Sequence, residues 1–114
     1  MVMLPGLDGT GILFKPLIEA LPANIKPIVV SYPTDQKLGY DDLLSLVMKA
    51  LPKNEPFILL GESFGGPLSI LVADSNPNGL KGVILCATFV TCPQKLVSKW
   101  TEYFLFLIPF RASV

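Results

Sequence analysis

The chain has 114 residues, of which 51% are hydrophobic and 16% charged, with nine Lys and Arg balanced by nine Asp and Glu. That length holds one domain with one core, the apolar content excludes a disordered chain, and the zero net charge excludes an electrostatic footprint for nucleic acid or an anionic membrane surface. There is no histidine, so the commonest general base is missing, and the two cysteines, Cys86 and Cys92, have no companion residues at metal-ligand spacing.

In chain order, the opening "MVMLPGLDG" carries no basic stretch followed by a long apolar run, so it does not read as a signal peptide, and a cytoplasmic protein is expected. Its apolar core "VML" at 2–4 is the first expected strand. The glycine-rich "LPGLDGTG" at 4–11 follows, and "ILFKPLIEALP" at 12–22 then reads as a helix with Pro16 in its first turn. "PIVVSY" at 27–32 is the second strand. The clearest helix is "YDDLLSLVMKALP" at 40–52: Leu43, Leu44, Val47, Ala50 and Leu51 share one face, Asp41 and Asp42 sit in the first turn, and Pro52 stops it.

"FILLG" at 57–61 is the third strand, and "FGGPLSILVADSNP" at 64–77 is a helix ended by Asn76 and Pro77. "GVILCA" at 82–87 is the fourth strand. The strand runs are continuously apolar, not alternating, as in a parallel sheet covered on both faces, and the order βαβαβαβ fits that arrangement. After Cys92 the chain changes character. "PQKLVSKWTEYFLFLIPFRASV" reads as one apolar helix broken at Pro109, with no strand after it. Its richest run, at 103–110, is far shorter than the roughly 20 residues that span a bilayer. The expected division is therefore a core at 1–92 and a separate helical segment at 93–114.

Two stretches carry chemistry. In "GESFGG" at 61–66, Ser63 falls between a buried strand and a helix, and so sharp a turn strains the backbone and lifts the hydroxyl clear of the sheet. Gly61 and Gly65 meet the need for small residues where strand and helix backbones approach, and Gly66 adds slack. In "LPGLDGTG", backbone N–H groups can converge on an oxyanion. The same glycines also suit an ordinary strand-to-helix turn with positive φ, or an anion-binding loop of a small nucleotide-binding domain with Asp35 as the ribose contact.

Together these two motifs resemble the α/β-hydrolase fold superfamily, in its esterase, thioesterase and acyltransferase-like branches that carry a "PGxDGTG" loop. In many members the loop after the third strand reads His-Gly-x-x-Gly followed by an aromatic; Pro5-Gly6-Leu7-Asp8-Gly9 and Phe14 fit that frame, with Pro5 where His is common. The resemblance implies an incomplete α/β-hydrolase core, its four strands corresponding to the third to sixth of eight, with 93–114 as the start of a cap. It makes Ser63 the nucleophile and the backbone N–H groups of Phe64 and Leu7 the oxyanion hole. Gly6, Asp8, Gly9 and Glu62 would line the substrate site, Glu62 as a carboxylate on its rim.

The implied substrate is a small-molecule acyl ester or thioester, with no metal and no organic cofactor. The acid and histidine that follow the serine in this superfamily are not found here, and "ATFVTCPQK" after the fourth strand holds no carboxylate. A serine hydroxyl is a weak nucleophile without a base, so the 114 residues alone are expected to be nearly inert. Exposed sheet edges and the C-terminal apolar helix would favour self-association. The alternative from a different class is a non-catalytic domain that keeps the fold and binds an acyl ligand or a protein partner through "YFLFLIPF".

Overall fold

The computed structural model describes residues 1–89. The expected division at 92 and the cap helix at 93–114 lie outside the described residues. Within them the order is β1 (Val2–Leu4), a 3-10 turn (Ile12–Phe14) running into α1 (Lys15–Ala20), β2 (Ile28–Val29), α2 (Tyr40–Ala50), β3 (Phe57–Glu62), α3 (Gly65–Asp74) and β4 (Leu80–Cys86).

The four strands form one parallel sheet in the order β2-β1-β3-β4. The chain first steps outward from β1 to β2, then returns past β1 to lay β3 on its other side. The reversal opens a crevice between the carboxyl ends of β1 and β3, where open α/β sheets bind their ligands.

The central strands are covered on both sides because their side chains alternate between two apolar layers. Val2, Leu4 and Leu59 pack with Leu43 and Val47 of α2 and with Leu68 and Val72 of α3. Met3 and Leu60 point the other way and pack with Phe14 and the partly buried Ile18 of α1. Val2, Met3 and Leu4 are fully buried, so this three-residue strand anchors both layers. At the start of α2 the Gly39 N–H donates to the Asp42 carboxylate at 3.1 Å, and Leu43 N–H donates back to the Gly39 carbonyl at 3.1 Å. The helix therefore begins with the N–H of its N-cap residue held by the Asp42 carboxylate and with two acids at its positive end.

Three expectations change. The first helix is split, because Gly11 turns the chain at φ 72 into a 3-10 turn before α1 begins beside Pro16. The second strand is reduced to Ile28–Val29, flanked by Pro27 and Pro33, which have no N–H to give a ladder. The expected burial of all four strands is only partial at β2 and fails at β4. Among the described residues Val83, Ile84 and Leu85 are 36%, 42% and 41% exposed, because β4 is an edge strand that packs against α3 less extensively than β3 does.

Candidate active site

β3 ends by feeding the chain directly into a bend. The Ser63 N–H still donates to the Cys86 carbonyl of β4 at 3.0 Å, but Ser63 itself has φ 49, in the left-handed region. For a residue with a Cβ this conformation costs roughly 1–2 kcal/mol, and the packing around it holds it there. From Phe64, at φ −59, the backbone is helical, and Gly66 N–H closes the turn on the Ser63 carbonyl at 3.1 Å.

Glycine at the flanking positions is required by contact. A Cβ on Gly65 would lie 2.8 Å from the Pro5 carbonyl oxygen and nearer still to that of Leu4. A Cβ on Gly61 would stand 2.6 Å from the Gly65 carbonyl oxygen and would overlap the Ser69 hydroxyl. That hydroxyl is fully buried and donates to the Gly65 carbonyl at 2.8 Å. A Cβ on Gly66 would overlap Thr88, whose hydroxyl donates to the Ser63 carbonyl at 2.5 Å. Strand, helix and the loop after β1 thus meet backbone to backbone around one serine.

The loop after β1 is folded by its own polar groups. Gly9 N–H donates to the Gly6 carbonyl at 3.1 Å, with Gly9 at φ 66. The Asp8 carboxylate accepts the Thr10 hydroxyl, and the Thr10 oxygen accepts the Ile12 N–H at 3.2 Å. The Tyr32 N–H ties the loop to the end of the second strand through the Gly9 carbonyl at 2.8 Å. Gly6 is where loop and elbow touch: a Cβ there would lie 2.7 Å from Glu62 Oε2 and 3.4 Å from Ser63 Cβ.

Beside this junction is a cavity of about 310 Å³, whose lining includes Leu7, Asp8, Gly9, Tyr32, Leu38 and Phe64. The Phe64 ring stacks on Tyr40 with centroids 4.8 Å apart. Tyr32 is only 8% exposed, and its hydroxyl is buried without a hydrogen-bond partner among the described residues. Burial, then the neighbouring Tyr40, Asp8 and Glu62, push its pKa far above the ordinary phenol value, so it stays neutral.

The sequence matches the serine aminopeptidase (S33) family over residues 32–111, most of the chain. The chain belongs to that family, and so to the α/β-hydrolase superfamily. It is also 33% identical over 82 residues to phytyl ester synthase 1, chloroplastic, of Arabidopsis thaliana. That alignment covers 67% of this chain and 12% of the plant protein, so the chain spans about an eighth of the length of that relative.

In this serine aminopeptidase-family scaffold, Gly6, Leu7, Asp8, Gly9, Glu62, Ser63 and Phe64, expected from the sequence to form the site, lie at the carboxyl end of the sheet. Gly6, Glu62 and Ser63 come together directly, whereas Leu7, Asp8, Gly9 and Phe64 surround the neighbouring cavity. Asp35 stands exposed beyond the second strand. Three residues at the site were not found from the sequence. Tyr32 looked like one more apolar strand residue, Ser69 like an ordinary helix position, and Thr88 lies in a stretch with no pattern. No group of three His, Cys, Asp or Glu is placed to hold a metal ion among the described residues.

Proposed function

We propose that Ser63 is the nucleophile of an acyl-transfer centre acting on carboxylic esters or thioesters. The observation that carries this reading is Ser63 at φ 49, held between β3 and α3 in the crevice of the parallel sheet, with Gly6 against it. Strain of this kind persists where the surroundings enforce it, and its result is an outward-facing hydroxyl. The backbone N–H groups of Phe64 and Leu7 form the oxyanion hole, and Gly6, Asp8, Gly9 and Glu62 border the bound acyl group. Membership of the serine aminopeptidase family supports hydrolytic or acyl-transfer chemistry, and the plant relative, by its name a synthase of phytyl esters, supports an ester over an amide.

The base is a histidine supplied from outside these 114 residues, since the sequence holds none. The exposed β4 supports further covering of the sheet at this edge, by additional chain or by a second copy. The test is covalent capture on the full-length protein. A fluorophosphonate should add one phosphonyl group, read by intact mass, and Ser63→Ala should abolish the addition. Equal labelling in Ser63→Ala, or an adduct on another residue, would sink the proposal. The lack of histidine also keeps a second reading in play, a non-catalytic acyl-ligand domain, for which the full-length protein would bind a fatty acyl ester but resist the phosphonate.

A further inference from the structure

We propose that Thr88 is a positioning residue for the oxyanion hole, its hydroxyl holding in place the peptide unit that carries the Phe64 N–H; this rests on Ser63 being the nucleophile. The Ser63 carbonyl and the Phe64 N–H are opposite ends of one planar trans peptide, so they point in opposite directions and turn together. The N–H end leads the first turn of α3, where such groups lack an intrahelical acceptor and face outward. The carbonyl end accepts two hydrogen bonds, from Gly66 N–H at 3.1 Å and from the Thr88 hydroxyl at 2.5 Å. Fixing the carbonyl fixes the donor, and donors on a carbonyl polarise the peptide so that its N–H donates more strongly.

The backbone around Thr88 is bent to make this contact. The β3–β4 ladder ends at Glu62 and Cys86, and the next residue, Ala87, takes φ 46, a conformation that alanine ordinarily avoids. The bend carries Thr88 across the first turn of α3, into the space that Gly66 leaves by having no side chain. The Gly66 bond is backbone to backbone and is available to any residue with an N–H there. The Thr88 bond requires a hydroxyl. Thr88 is half-buried and acts through Phe64, not on the substrate.

Thr88→Val keeps the shape and removes the hydroxyl, and Thr88→Ser keeps the hydroxyl and removes the methyl. In the full-length protein, the Ser63 carbonyl carbon and Phe64 amide nitrogen resonances should shift in Thr88→Val and remain close to wild type in Thr88→Ser. Phosphonylation of Ser63 should slow about 5- to 50-fold in Thr88→Val and stay within about 2-fold in Thr88→Ser, with little change in Tm. Should Thr88→Val fail to fold, Thr88→Ala supplies the same comparison. Thr88→Ser as slow as Thr88→Val would overturn the proposal, since packing and not the hydroxyl would then be responsible. Unmoved resonances with Ser63-dependent labelling would overturn this proposal alone, whereas labelling that survives Ser63→Ala would overturn the nucleophile and this proposal together.

Discussion

The two ends of the sheet each hold a cavity of about 310 Å³. At the amino ends of the strands the cavity is bordered by the exposed Lys26, Glu55 and Lys81, beside the Met1 ammonium, which donates to the Lys26 carbonyl at 2.8 Å. At the carboxyl ends it lies against a junction of three backbones, with Gly6, Gly61, Gly65 and Gly66 all in contact with neighbouring elements. Among the described residues, two of the three non-glycine residues with positive φ, Ser63 and Ala87, stand at that same end, and the third, Asn76, follows α3 where such a residue commonly ends a helix. Volume does not distinguish the two cavities. The extent of crowding and strain does, with four crowded glycines and the strained Ser63 and Ala87 at the carboxyl end against the one approach of Gly79 to the Glu55 carbonyl at the amino end among the described residues.

If this contrast is right, equivalent changes at the two ends will differ widely in effect. Gly65→Ala forces a methyl group onto the Leu4 and Pro5 carbonyls, which belong to the fully packed β1 and its loop. It should cost roughly 2–4 kcal/mol, read as a lower urea midpoint; a loss under about 1 kcal/mol would mean that the junction can give way.

Tyr32→Phe is the intermediate case. The buried phenol has no hydrogen-bond partner among the described residues, so removing its oxygen should leave stability unchanged or raise it by up to about 1 kcal/mol at neutral pH. The sign changes nothing in acid. Above about pH 10 the unfolded chain loses the phenolic proton while the folded chain retains it, so the native protein loses stability at up to about 1.4 kcal/mol per pH unit. Denaturation at pH 9 and pH 11 should show that this loss is smaller in Tyr32→Phe by most of one group; identical slopes would mean that the phenol ionises freely in the fold.

The smallest effect is expected toward the other end, in β4. A Cβ on Gly82 would meet nothing within 4 Å, so Gly82→Ala should stay within about 0.5 kcal/mol of wild type in the same urea titration.

Much of the fold was legible because the strands and helices are written in local patterns. Leu43 and Val47 announce the buried face of α2, and "VML" and, apart from the exposed Ile58, "FILLG" are buried as their continuous apolar runs imply. The runs in β3 and β4 look alike in sequence, yet only β3 is covered. Position within the sheet follows from how the chain doubles back past β1, which no single run encodes. The site divides in the same way. Ser63 and its glycines follow from a short motif, but Thr88 reaches the Ser63 carbonyl across 25 residues, and Gly6 meets Glu62 from the far side of the crevice. Contacts between distant segments leave no local spacing to read.

The pairing of Gly61 with Ser69 restricts how this region can diverge. The serine hydroxyl fills the volume that the glycine gives up and is anchored there on the Gly65 carbonyl. A larger residue at 61 requires a smaller one at 69 and also a shift of the α3 backbone, because its Cβ would still lie 2.6 Å from the Gly65 carbonyl oxygen. A redesign of the strand leading into the elbow has to rewrite the helix in the same step.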